Sequence, residues 1–219
     1  MNQVIRFLQD LSENNNREWF QENKTRYDES RKKVLFLTEV VINEIRKFDP
    51  EIPLLNPKDC LFRIFRDVRF SNDKRPYKTN FGSFMAKGGR KSVYAGYYFQ
   101  IDPAGSFAGG GIYMPEAEPL KAIREYISEN GEEFLSLINN KNFVKVYPEM
   151  MDDKLKTTPK GFSPDHEFID LLRYKSFAFM SPISQPEVLA DNFIEKLVES
   201  FKTLHPVNRF LNEALENIL

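Results

Sequence analysis

Apolar residues recur at helical spacing through the first fifty positions. Val4, Ile5, Leu8 and Leu11, with Phe7 beside them, mark one face of a helix over residues 4–11. Asn14-Asn15-Asn16 interrupts it. Asparagine tolerates left-handed backbone and caps helix starts, so Asn16 reads as an N-cap, with Glu18 in the first turn of the next helix. A stripe through Tyr27, Val34, Leu37, Val41, Ile45 and Phe48 predicts a long helix over residues 24–47. Asp49-Pro50 stops it, because the residue before proline avoids helical angles. Pro53 and Pro57 make residues 51–60 an extended connection.

The period then changes from helical to alternating. In a strand over residues 61–70, Phe62, Ile64, Val68 and Phe70 share one face, and Arg63, Asp67 and Arg69 the other. Arg66 falls on the apolar side and Phe65 on the polar side, which requires either a bulge or a buried, paired Arg66. Ser71 to Asn80 is a loop rich in turn residues. Residues 80–86 and 92–101 read as a hairpin closed at Lys87-Gly88-Gly89-Arg90, where glycine permits positive φ, and residues 106–114 return as a further strand. Pro115 precedes a helix through Leu120, Ile123, Tyr126 and Ile127, which Gly131 separates from a shorter one with Phe134, Leu135 and Ile138. Residues 139–162 are the least regular. Ser163-Pro164 suits a helix start leading into residues 168–172, and residues 175–183 offer one more strand. Helices over 191–204 and 207–219, joined at His205-Pro206, close the chain. The expected fold is therefore an α+β single domain. Its central, mostly antiparallel sheet, at about residues 61–114, packs against N-terminal and C-terminal helices.

Composition narrows this only slightly. A chain of 219 residues that is 41% hydrophobic and holds 20 Phe fits a packed globule rather than a disordered segment. The lone cysteine, Cys60, excludes an internal disulfide and suits a reducing compartment. Charges stand too early at the N-terminus for a signal peptide, and no apolar run approaches membrane-spanning length, so the expected location is cytoplasmic.

Charge distribution says more than the sum. A net charge of −1 argues against coating nucleic acid, yet residues 61–91 hold nine Lys/Arg against Asp67 and Asp73, a balance of +7 that leaves −8 elsewhere. One reading is a basic region that steers an anion. The other is a strand and hairpin facing acidic helices of the same molecule.

The chemistry on offer concentrates there. Arg63, Arg66 and Arg69 present planar forks suited to phosphate or carboxylate, and three converging would hold a doubly charged group. Asp67 would orient them or act as a base. Lys74 and Lys78 flank Pro76-Tyr77 on a loop able to fold over an anion, with Asn80 at its end, and Tyr77 would donate a hydrogen bond or a proton. Asp67 and Tyr77 are the weak candidates for catalysis, and Ser71 is the only hydroxyl worth following. A salt-bridge network pinning the loop to the sheet accounts for the same residues equally well. Gly109-Gly110-Gly111 lacks the strand-to-helix context of a phosphate loop, which favours a sheet position without room for side chains. Tyr94, Tyr97, Tyr98 and Tyr113 suit packing more than stacking on bases. His166 and His205 sit in no ligand spacing, so no metal site is read, and no cofactor is identified. Cys60 reads as a buried structural thiol, and Trp19 as an anchor between the first helices.

Four motifs carry a resemblance: residues 14–20 (Asn-Asn-Asn-Arg-Glu-Trp-Phe), residues 63–80, Gly109-Gly110-Gly111 through Pro115, and Pro159-Lys160-Gly161-Phe162. In these the chain resembles the domain-of-unknown-function family 2461 of bacteria and fungi. Asn72 and Arg75 depart from that family's frequent Lys and Thr. The resemblance brings no established activity, cofactor or partner. It implies one intact domain of about this length in which polar motif residues from three segments meet.

The leading expectation is a protein that binds a small anionic ligand, phosphate- or carboxylate-bearing, between the arginine strand and residues 71–80. Whether a reaction follows is left open. Binding of nucleic acid through the basic strand and the tyrosines is the first alternative. A protein-interaction module with a purely structural salt-bridge network is the second.

Overall fold

The N-terminal pattern folds as its spacing predicts. The computed structural model describes residues 1–216, and in it α1 (Asn2–Glu13) buries Val4, Ile5, Phe7, Leu8 and Leu11. Asn16 caps α2 (Arg17–Glu22), its side-chain oxygen accepting from the Trp19 N–H at 2.9 Å. Trp19 stacks on Phe7 at 6.1 Å and so joins the two helices. α3 (Lys24–Ile45) buries Val34, Leu37, Val41, Ile42 and Ile45. The connection read as extended holds one helical turn, α4 (Pro57–Cys60), capped by Asn56 with proline at its start, the one helical position that needs no N–H.

Four antiparallel strands make one sheet in the order β1 (Phe81–Ala86), β2 (Gly96–Ile101), β3 (Ser106–Ile112) and β4 (Phe177–Ile183). The sheet thus lies at residues 81–112 with β4 added from the C-terminal half; residues 61–70 supply no strand to it. That segment makes only isolated bridges, Leu61 to Ser83 and Phe65 to Tyr77. Its alternation is broken by aspartates that bond the backbone two residues on. Asp67 accepts from the Arg69 N–H at 3.2 Å, and Asp73 from the Arg75 N–H at 3.0 Å. Such local acceptors turn a chain rather than extend it.

The remaining helices are α5 (Ala117–Ile138), α6 (Lys141–Val146), α7 (Ile169–Leu172), α8 (Gln185–Leu189) and α9 (Phe193–Glu216). α5 spans both helices read around Gly131, with a kink at Asn130 (φ −124°, ψ 28°). Gly131 itself admits a close contact, since a Cβ there would stand 2.3 Å from the Phe168 ring. α6 lies in the stretch read as irregular. Ser163 does not start a helix; its hydroxyl accepts from the Asp165 N–H at 3.2 Å in a turn, and α7 begins only at Ile169. α9 runs straight through the predicted break at His205-Pro206. Pro206 is exposed while Phe201, Leu204, Val207 and Phe210 around it are buried, so packing on both sides outweighs the lost hydrogen bond. The last helical positions read from sequence, 217–219, fall outside the described residues.

α9 packs across β3 and β2, α5 lies on α9, and α3 meets β1. Tyr97, Phe99, Ile101, Ala108 and Phe177 are buried on this helix-covered side. The Tyr97 hydroxyl donates to Asp49 Oδ2 at 2.6 Å and lies 3.1 Å from His205 Nδ1, which ties the end of α3 to β2 and α9. The opposite face carries Phe84, Tyr98, Gln100 and Phe107, all half-buried, and exposed Met180. Among the described residues no helix is long and apolar enough to cross a membrane.

Candidate functional site

Residues 61–80 form an irregular hairpin along the outer edge of β1. At its root the Phe62 N–H donates to Gly82 O at 2.9 Å, and the Lys78 N–H to Ile64 O at 2.8 Å. The Arg66 N–H donates to Pro76 O at 2.9 Å. Asn15 clamps the returning limb: its side-chain amide donates to Tyr77 O at 3.0 Å, and its oxygen accepts from the Tyr77 N–H at 3.1 Å. The asparagine triplet and the basic motif therefore meet through one side chain.

The tip of this hairpin neutralises itself. Arg69 forks onto Asp67, with Nε 3.0 Å from Oδ1 and Nη2 2.7 Å from Oδ2. Arg75 does the same to Asp73, again reaching 2.7 Å. Arg66, half-buried, reaches Asp73 at 2.7 Å and Arg75 O at 3.1 Å, with Ser71 Oγ at 3.5 Å. Lys74 Nζ donates to Val68 O at 3.1 Å. The side-chain and backbone hydrogen bonds from Arg69 hold the Asp67 carboxyl below the usual range. Those from Arg75, with Arg66 adding to them, hold Asp73 lower still. Asp67 thus holds the Arg69 guanidinium through both of its carboxylate oxygens. Arg66 and Arg69 serve different aspartates, and Arg63 is exposed. Tyr77 is buried with its ring stacked on Phe20 at 4.0 Å and 12°, and burial pushes its phenol up. It anchors the hairpin to α2.

A cavity of about 640 Å³ lies elsewhere, on the half-covered face of the sheet. Phe84, Tyr98, Gln100 and Phe107 form its wall from the strands. Phe62, Lys78 and Asn80 enter from the hairpin root, and Arg90, Lys91 and Ser92 from the β1–β2 connection. Of the ligand-binding residues predicted from sequence, Lys78 and Asn80 reach it. Arg63, Arg66, Arg69 and Lys74 do not line it. Arg90 belonged to the basic stretch but was read as hairpin turn. It is the second cation of the cavity lining beside Lys78, anchored by donating to Leu61 O.

Lys78 Nζ and Arg90 Cζ lie over the Phe62 ring, 5.4 and 5.5 Å from its centre. Among the described residues neither is in an ion pair, and the cations Lys78, Arg90 and Lys91 face a single carboxylate on the lining, Glu116. Burial, then Arg63, Arg90 and Arg66, push the Lys78 ammonium below the ordinary lysine range. Tyr98 donates to Gln100 Oε1 at 3.0 Å and remains a neutral wall, its phenol pushed up to about 12 by burial and then by Asp102. Its ring lies over Gly82, where a Cβ would stand 2.3 Å from the phenol oxygen. The glycine triplet forms floor rather than phosphate loop: at Gly111 (φ 91°) a Cβ would stand 2.1 Å from Phe177 O. Tyr94 and Tyr113 join Tyr98 on the lining, but Tyr97 points into the helix-covered core and is not free to stack on a base.

The other candidate residues take structural places. Cys60 is buried, and burial, then Asp59, push its thiol up to about 11. His166 Nδ1 accepts from the Phe168 N–H at 3.1 Å, and His205 serves the Asp49 pair. Among the described residues no three His, Cys, Asp or Glu side chains are grouped to hold a metal ion.

Fold and cavity together define an α+β protein with a cation-rimmed pocket on one face of an antiparallel sheet. Residues 3–210 match the family described as conserved hypothetical protein (DUF2461), and the chain belongs to that family. No curated protein and no solved structure matches it.

Proposed function

We propose that this protein binds a small anionic ligand with an apolar or aromatic body in the sheet-face cavity. The observation that carries the reading is the pair Lys78 and Arg90 over Phe62 at the cavity rim, neither of them in an ion pair among the described residues. Half-buried like charges repel and lose hydration, so an arriving phosphate or carboxylate relieves a cost already present in the fold. Phe62, Phe84, Tyr98 and Phe107 then cover the ligand's apolar part, and Asn80 offers a neutral donor. The cavity lies within the usual range of small-molecule sites, roughly 300–1,000 Å³. A cytoplasmic setting, which the lone buried thiol suits, would supply phosphorylated and carboxylated metabolites.

A thermal-shift screen with such metabolites tests this. Ligands that stabilise the wild type should lose their effect in Lys78→Ala and Arg90→Ala and keep it in Arg69→Ala. The opposite pattern would return the site to the hairpin tip and end the proposal.

A further inference from the structure

We propose that Lys78 is the nucleophile of a covalent site, forming an imine with the carbonyl of a 2-oxo acid whose carboxylate is held by Arg90. This rests on the anion-binding reading of the same cavity. Lys78 is the cavity's only half-buried lysine, since Lys91 is exposed. Its Nζ lies above the Phe62 ring, and among the described residues it is in no ion pair. Arg90 stands over the same ring and lines the same cavity, so a ligand held there meets both cations. Lysines become nucleophiles by desolvation and by a neighbouring cation. Both conditions are met here: burial comes first among the influences that lower the Lys78 pKa, followed by three arginines.

The step balances without a further reactant. The free amine adds to the carbonyl carbon, a C–N bond forms, and the carbonyl oxygen departs as water with the two amine protons, leaving C=N. Protonated at nitrogen, that imine draws electrons from the C–H bonds of the adjoining carbon, which opens proton abstraction there. The aromatic wall favours a 2-oxo acid with a bulky apolar substituent over the smallest ones.

The test is reductive trapping of the full-length protein with pyruvate or phenylpyruvate and sodium borohydride near neutral pH, followed by peptide mass mapping. The expected result is a reduced adduct at Lys78 at least about tenfold above any other lysine, as an activated amine requires. Phenylpyruvate should react more completely than pyruvate. Lys78→Arg should abolish the adduct while keeping stabilisation by the same acids, and Lys78→Met provides a second variant should the arginine disturb folding. Adducts spread over surface lysines, or persisting in Lys78→Arg, overturn the inference. Stabilisation of the wild type without trapping also overturns it and leaves the anion site standing. Loss of both removes the site and the inference together.

Discussion

Two basic regions stand on either side of the hairpin root, and they differ in one respect. At the tip, Arg69 and Arg75 each find a carboxylate two residues earlier in the chain, and Arg66 shares the second. At the cavity rim, Lys78 and Arg90 have no carboxylate two residues earlier and make no ion pair among the described residues. The tip holds the denser charge and presents the least of it, because short-range pairing is already complete when the loop forms. An anion site is marked by charge that the fold leaves unneutralised, and charge density along the chain is a poor proxy for that.

The largest expected effect tests the floor on which the rim depends. Gly111→Ala would put a Cβ 2.1 Å from Phe177 O at φ 91°, so both the partner strand and the local backbone must move. The expected loss is about 3 kcal/mol or more, read by urea unfolding. The tip holds no glycine, and a tolerated Gly111→Ala would show the cavity floor to be pliable.

The next test loosens the joint between the regions. Asn15→Ala removes both side-chain hydrogen bonds to Tyr77, the residue before Lys78. The expected cost is about 2 kcal/mol, with faster amide exchange at Tyr77 and a smaller ligand-induced thermal shift. An unchanged shift would mean that Lys78 is positioned from the β1 side alone.

Asp49 supplies the contrasting case of a buried charge that is paired. Burial opposes its ionisation, but hydrogen bonds from His205 and Tyr97 outweigh burial and keep the carboxyl below its ordinary range. A depressed carboxyl pKa contributes stability above the unfolded value, about 4, and that contribution is lost as pH falls through the folded value. Wild-type stability should therefore decline below about pH 4. Asp49→Asn, which keeps an acceptor for Tyr97, should cost about 1 kcal/mol at neutral pH and flatten the acid decline. Urea midpoints between pH 3 and 6 decide it.

Much of this was legible in the sequence where one local rule governs. The stripe of α1, the Asn16 cap, the glycine-closed hairpin and the β4 segment follow from periodicity and turn chemistry alone. The reading of residues 61–70 as a strand failed because Asp67 was counted as a polar-face position, when its side chain was turning the backbone. Asp-Val-Arg and Asp-Lys-Arg, carboxylate and guanidinium two apart, were the available signal for a self-neutralised tip. Pro206 misled in the opposite direction, since burial on both flanks is a tertiary effect. Of the residues read as ligand-binding, Lys78 and Asn80 line the cavity; Arg90 was hidden by its glycine neighbours, and its contact with Phe62 exists only after the hairpin has folded.

The smallest effect carries the sharpest test of the comparison. Asp73→Asn keeps the side-chain acceptor for the Arg75 N–H, and hence the turn, while removing the charge shared by Arg66 and Arg75. In a Lys78→Ala background, where the cavity is silenced, this change should leave the melting temperature without ligand where it was. It should create a slight stabilisation by inorganic phosphate at low salt, and that stabilisation should fade as added salt brings the screening length towards about 3 Å at 1 M. The exposed tip would then behave as an anion site only when its own carboxylate is taken away, as pairing requires. If phosphate still has no effect at low salt, neutralisation by Asp73 is not what keeps the tip inert, and something other than unpaired charge must distinguish the cavity rim.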